Sequence, residues 1–363
     1  MTTPEGQGAP LLELRNVTKQ FGGGYFSNRG PTVALDNVSF SIPEDQPSIT
    51  AIAGESGSGK TTLARILLGI AFPTAGNVLY RGKDLRKVKG SERREFRREV
   101  QPIFQDPFES YNPFYKIDHV LTTPARNFKV GSGKADIKRK VSEALETVGL
   151  QPSETLGRYP HQLSGGQRQR VMVARALLLK PKIILADEPV SMVDASLRAT
   201  ILDSIRTLNR DLGISVIYIT HDLTTAYQIS DNIIVLYRGS VVEAGSVENV
   251  IKNPRHPYTQ LLVQSIPQPD PKKRWGELPI QGDADHAAAG PGCKFADRCP
   301  HVMEICNQQA PPLYETEPNR VVNCFLYKAA PVAVSNNVAG IFVAPTTESK
   351  RSLAPPASSS MAR

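Results

Sequence analysis

The sequence predicts an α/β protein with a mostly parallel core sheet. Over residues 1–265, short apolar runs (Ser48–Ala53, Ile183–Ala186, Val216–Thr220, Ile233–Leu236) alternate with helical patterns. That order is what crossover helices impose on parallel strands. The first run also leads through a glycine-rich turn into an apolar helix. At 363 residues, 40% hydrophobic and 21% charged, the chain can bury a full-sized core.

The elements follow in order. Leu11–Val17 and Val33–Ile42 read as antiparallel edge strands. Ser48–Ala53 is a core strand, and Leu63, Ile66, Leu67 and Ile70 mark the apolar face of the helix behind it. The densest basic run, Arg81–Glu99, interleaves acidic residues and predicts a solvated helical face. Arg168 to Lys180 forms a helix, and Ile233–Ala244 a hairpin turning at Arg238-Gly239. Residues 266–292 are rich in Pro, Asp, Lys, Gly and Ala and read as a linker. A cysteine segment, 293–328, follows, and 329–363 has a composition expected to stay disordered. There is no internal repeat.

No apolar stretch reaches the ~18–20 residues that span a bilayer. The start, MTTPEGQGAPLLELR, lacks the basic and apolar regions of a signal peptide. A cytosolic location is expected, with any membrane work done through a spanning partner. The net charge of +8 is compatible with nucleic acid, anionic lipid or an acidic partner and singles out none.

Gly54-Glu55-Ser56-Gly57-Ser58-Gly59-Lys60-Thr61 fits G-x-x-x-x-G-K-[ST] between a strand and a helix. Such glycines let backbone N–H groups turn inward around a phosphate, and the helix N-terminus adds its positive end. Lys60 is expected at the β- and γ-phosphates, and Thr61 on Mg²⁺. The strand Ile183–Ala186 ends in Asp187 and Glu188, a metal-side carboxylate and a general base. Ser215–Thr220 delivers His221 to the same edge. Leu163-Ser164-Gly165-Gly166-Gln167 makes a second anion site, with Ser164 as N-cap. It lies about a hundred residues after Lys60 and makes sense if it closes over another subunit's nucleotide.

All four cysteines fall between Cys293 and Cys324, spaced C-x5-C-x6-C-x17-C. A cytosolic chain argues against disulfides. Four thiolates suit Zn²⁺ or an iron–sulfur cluster, but the tight pairs usual for zinc are absent; free thiols are the third alternative.

With LSGGQ beside the phosphate loop and the Asp187-Glu188 strand end, residues 11–265 resemble the nucleotide-binding subunit of an ATP-binding cassette (ABC) transporter. The resemblance implies an ABC-type P-loop ATPase fold: mostly parallel core sheet, antiparallel N-terminal subdomain and helical subdomain. It implies ATP and Mg²⁺ as cofactors. Phe21, with Tyr25 and Phe26 as neighbours, falls where an aromatic stacks on adenine. Gly54 to Thr61 and Thr62 bind nucleotide. Gln105 senses Mg²⁺, which Thr61, Gln105 and Asp187 hold, and it touches the membrane subunit. Glu188 and His221 are catalytic. Ser164, Gly165, Gly166, Gln167 and Asp194 contact nucleotide in trans. Two departures stand out. Ser191-Met192-Val193-Asp194 replaces the usual Ser-Ala-Leu-Asp, and Tyr111 sits where leucine is common in a loop facing the membrane subunit.

Asn253-Pro254-Arg255-His256-Pro257-Tyr258-Thr259 and the cysteine segment resemble the tail of oligopeptide/dipeptide importer ATPases. This favours a 4Fe–4S cluster on Cys293, Cys299, Cys306 and Cys324 over zinc. His256 itself reads as a helix-entry residue. The implied activity is ATP hydrolysis powering solute import, with di- or oligopeptides ahead of oligosaccharide or nickel. The implied partners are a different but homologous ATPase, two transmembrane permease subunits and an extracytoplasmic solute-binding protein, with this chain on the cytoplasmic face. A soluble ABC ATPase acting on nucleic acid or ribosomes is the alternative. Such proteins usually carry two cassettes or a long coiled-coil insertion, and no heptad run separates Lys60 from Ser164. An exporter ATPase is disfavoured by the importer-type C-terminal region.

Overall fold

Twelve strands form two sheets in a computed structural model that describes residues 10–22, 31–105, 111–191, 193–266, 290–334 and 337–342. Tyr25, Phe26, Met192, most of the expected linker and the end of the expected tail lie outside the described residues. The smaller sheet is antiparallel, in the order β2-β1-β4-β5: Thr32–Ile42, Leu12–Phe21, Ala75–Tyr80 and Lys83–Asp84.

The larger sheet runs β11-β12-β10-β9-β3-β8-β7-β6. Its centre is parallel: β9 (Asn232–Tyr237), β3 (Ile49–Ala53), β8 (Ser215–Thr220), β7 (Ile183–Asp187) and β6 (Val100–Ile103). Every residue of β3, β8 and β9 is buried, as expected where both faces are covered. Period two divides the faces. Ile183, Leu185, Ile217 and Ile219 pack with the antiparallel sheet, whereas Ile184, Ala186, Val216 and Tyr218 pack with the helical part. That part includes the helices Ile117–Asn127, Lys134–Thr147 and Gly165–Leu177.

The hairpin from β9 to β10 (Ser240–Ser246) turns at Arg238 and Gly239, with φ of 43° and 80°. Two consecutive positive φ values match a type I′ turn. The helix Gly90–Glu99 in the basic run buries only Phe96 and Glu99, while Arg81 pairs with Glu44, Glu95 and Glu99. Ile70 departs from its expected place. The first helix ends at Leu67, so Ile70 lies beyond the apolar face and is 63% exposed.

The C-terminal region is built into the main sheet. β12 (Arg320–Val322) pairs antiparallel with β10, and β11 (Tyr314–Glu317) pairs with β12. Arg320 and Glu243 are wholly buried at this seam, with Arg320 Nη2 2.5 Å from Glu243 Oε1. The Glu243 carboxylate also accepts the backbone N–H groups of Arg255 and His256 at 3.1 and 2.9 Å. The expectation of disorder from residue 329 fails for 329–334 and 337–342. Ala333 N–H donates to Leu313 O, Asn337 donates to Ser41 Oγ, and a turn at Val338–Ile341 buries Val338 against the core. Hydrogen bonds and a few apolar contacts (Ala333, Val338, Ile341, Phe342) hold this segment.

Candidate nucleotide site

The phosphate loop leaves β3 and enters the helix Lys60–Leu67. Gly54 and Gly59 have φ of 153° and 105°, and a Cβ at either would meet a backbone oxygen at 2.3 or 2.4 Å. Only glycine fits these two positions. Lys60 is buried, and its Nζ donates to the carbonyls of Gly54 and Glu55 at 2.7 and 2.8 Å. Burial lowers its pKa, while Glu188, Asp187 and Glu55 oppose that shift. Ser58 Oγ is buried, with no protein hydrogen-bond partner. Ser56, Gly57 and Thr61 are exposed at the loop's open side, and Thr62 is half-buried.

Three neighbouring parallel strands deliver the other groups to the same edge. Gln105 follows β6, Asp187 and Glu188 end β7, and His221 follows β8. Glu188 ties them together: Oε2 accepts from Gln105 Nε2 at 3.0 Å, and Oε1 lies 2.9 Å from His221 Nδ1. Glu188 has φ of 44°, and its N–H donates to Ile219 O at 2.9 Å. Burial raises the Asp187 pKa, Glu188 adds to the rise, and Lys60 and Arg65 oppose it. Two adjacent carboxylates beside a buried lysine form a site that a cation would stabilise. The oxygen donors of Thr61, Gln105 and Asp187 suit Mg²⁺, which takes one or two carboxylates and completes its shell with phosphate and water. Glu188 and His221 also line an open cleft of about 510 Å³ with Leu262 and Ile266.

Ser164 caps the helix Gly165–Leu177 through a reciprocal box. Its Oγ accepts from Gln167 N–H at 3.2 Å, and Gln167 Oε1 accepts from Ser164 N–H at 2.9 Å. A Cβ on Gly166 would lie 2.7 Å from Leu197. Asp194 stands at the N-terminus of the helix Ala195–Leu212. Phe21 ends β1, 49% exposed beneath the Lys19 ammonium, 5.1 Å from its ring centroid. Tyr111 is buried, and its hydroxyl donates at 2.8 Å to Arg168 O of the helix Gly165–Leu177, the signature helix that follows Leu163-Ser164. Among the described residues near it in the chain, Phe104, Phe114 and Tyr115 are exposed.

His256 caps the helix Pro257–Gln264, accepting from Tyr258 N–H at 3.0 Å, as a helix-entry residue should. Burial pushes its pKa down to about 3. The cysteines depart from expectation. Cys293, Cys299 and Cys324 have raised pKa values, chiefly from burial and further from neighbouring thiols, with Cys324 at about 11. Yet among the described residues no three His, Cys, Asp or Glu side chains form a group able to hold a metal ion. Cys293 and Cys299 pack beside Phe295 and Tyr258, and Cys306 packs against Tyr314 and Phe325. The thiols serve here as small apolar side chains, so the structure supports neither the expected 4Fe–4S cluster nor zinc.

Sequence reasoning missed two residues. Tyr258 Oη accepts the Glu55 N–H at 2.8 Å, and Arg298 forms a two-pronged pair with the Glu55 carboxylate, both prongs 3.0 Å. Both lie more than 200 positions from Glu55 in the chain, and no local pattern links them to it.

Residues 35–191 match the family described as ABC transporter, and 242–306 match the oligopeptide/dipeptide transporter C-terminal region. A Brucella ovis protein named as a peptide import ATP-binding protein is 40% identical over 317 residues, covering 87% of this chain and 97% of that protein. The oligopeptide transport ATP-binding protein OppF of Haemophilus influenzae is 38% identical, covering 83% and 90%. Among solved structures, the dimeric ATP-binding cassette MJ0796 in a post-hydrolysis state with ADP and Pi superposes with a TM-score of 0.58 at 30% identity. It covers 65% of this chain and 98% of that one. Phosphate loop, the Gln105–Glu188–His221 row, signature helix and C-terminal region thus point the same way: the chain belongs to the ABC transporter family, among its oligopeptide/dipeptide-type ATP-binding proteins.

Proposed function

We propose that this chain is the ATP-binding and ATP-hydrolysing subunit of a peptide-importing ABC transporter. The observation that carries it is the row Gln105–Glu188–His221, joined by hydrogen bonds at the strand edge that also presents Lys60. Lys60 and the Gly54–Gly59 N–H groups bind the phosphates; Thr61, Gln105 and Asp187 would hold Mg²⁺, which would offset the phosphate charge. Glu188 takes a proton from the attacking water, and His221, bonded to Glu188 through Nδ1, keeps its other ring nitrogen available for the γ-phosphate. Peptide as the solute is supported by the relatives' names and by the matched C-terminal region.

Ser164 to Gln167 and Asp194 complete the nucleotide site of a second, homologous ATPase, making a head-to-tail pair. Two permease subunits dock near Gln105, where Phe104, Phe114 and Tyr115 are exposed, and a solute-binding protein delivers the peptide outside. No helix among the described residues is long and apolar enough to cross a membrane, so membrane attachment runs through the permeases. ATPase, linker, cysteine segment and tail divide at 265, 292 and 328. Purification of the tagged chain from its host membrane tests the reading. Co-purifying permeases and peptide-stimulated ATP turnover are expected; ribosomes or nucleic acid in their place would overturn it.

A further inference from the structure

We infer that Arg298, carried by the cysteine segment, is a positioning residue of the phosphate loop: it clamps Glu55 and thereby sets ATP affinity. This rests on the reading of Gly54–Thr61 as the ATP site. Nη1 and Nη2 of Arg298 lie 3.0 Å from Oε2 and Oε1 of Glu55, the parallel fork that guanidinium and carboxylate form. The Arg298 side chain is only 17% exposed. Its guanidinium lies 5.9 Å from the Tyr237 ring centroid and 5.7 Å from that of Phe295, so its position is built rather than incidental.

The mount is anchored on the ATPase core. Lys294 pairs with Asp36 at 2.8 Å and donates to Arg238 O at 3.0 Å, while Arg238 donates back to Lys294 O at 3.2 Å. The adjacent Gly239 N–H donates to Ser58 O of the phosphate loop at 2.9 Å. Residues 293–299 therefore hold the loop from two directions, through Glu55 and through the β9–β10 turn. The cysteine segment is not remote from the ATP site, as chain order alone would place it.

The chemistry explains why an arginine is needed. Glu55 puts a carboxylate into a loop that receives polyphosphate, and like charges repel. Its backbone is already committed, N–H to Tyr258 Oη and carbonyl to Lys60 Nζ, so what is left to fix is the direction of the side chain. A planar guanidinium neutralises it and fixes its direction; a lysine ammonium supplies charge without the fork.

The test is ATP binding by the full-length chain together with turnover in the assembled transporter. Arg298→Ala is expected to raise Kd and KM for ATP by roughly 3- to 10-fold with kcat at saturating ATP nearly unchanged. Arg298→Lys, the milder variant should alanine loosen the segment, falls between alanine and wild type. Glu55→Gln with Arg298→Ala binds no more weakly than Arg298→Ala alone, because the two act as one unit. Wild-type ATP affinity in both Arg298 variants, or losses that add in the double variant, overturns the proposal. Lys60→Ala separates the two readings: if it too leaves ATP binding intact, the nucleotide-site reading has failed rather than the clamp.

Discussion

Glu188 holds a positive φ of 44°, a backbone conformation that disfavours a non-glycine residue. The conformation aims one carboxylate at both Gln105 and His221. Glu188→Gln keeps the side chain's size and removes its basicity. ATP binding is expected to persist while steady-state turnover falls by about 10²–10⁴-fold; turnover at the wild-type rate would remove Glu188 from the base role. His256 gives a second prediction at this scale. Its pKa is about 3 in the fold against an ordinary 6.5, so below pH 6.5 the unfolded chain binds a proton that the native protein refuses. Its contribution is full above pH 6.5 and is lost as pH falls toward 3, by up to ~1.4 kcal/mol per pH unit. Urea midpoints of wild type and His256→Asn, compared between pH 7 and pH 5, should converge as the pH drops. Parallel curves would contradict the shift.

At the scale of elements, the signature helix combines a cap with a tether. The Ser164–Gln167 box satisfies N–H groups at its start, and the Tyr111 hydroxyl bonds Arg168 O in its first turn. Ser164→Ala should lower stability by about 0.5–2 kcal/mol, read from the denaturant midpoint. ATP binding at Lys60 should be unchanged, and turnover by the assembled pair should fall further than the stability loss explains. An unchanged pair would deny the loop its trans contact. The tether thereby fixes Tyr111 to that helix.

For the whole molecule, the seam between β10 and β12 matters most. Arg320 and Glu243 are both inaccessible to solvent, and Glu243 also holds the chain at Arg255 and His256. Arg320→Ala leaves a buried carboxylate without its cation and is expected to cost about 3–5 kcal/mol. A melt followed by bound nucleotide reports on the ATPase core, so a normal midpoint there would show the C-terminal region to be energetically separate. That region closes the open side of β10, which would otherwise present unpaired backbone groups.

The elements carried by local pattern were legible in the amino-acid sequence. Apolar runs marked β3, β7, β8 and β9 to within a residue or two, Arg238-Gly239 marked the turn, and glycine spacing marked the phosphate loop. The order of strand ends was enough to bring Lys60, Asp187, Glu188 and His221 to one edge, because parallel strands present their C-terminal ends together. Long-range pairing was not legible. Nothing near Arg298 names Glu55 as its partner, nothing near Arg320 names Glu243, and nothing near Tyr111 names the Arg168 carbonyl as its acceptor. The four cysteines pointed to a metal centre, whereas among the described residues they form no group able to hold a metal, and Cys293, Cys299 and Cys306 pack into apolar clusters. Periodicity and turn chemistry act over a few residues and are written in the chain. Charge pairs and apolar contacts between distant segments depend on which surfaces the fold brings together, and only the tertiary structure decides that.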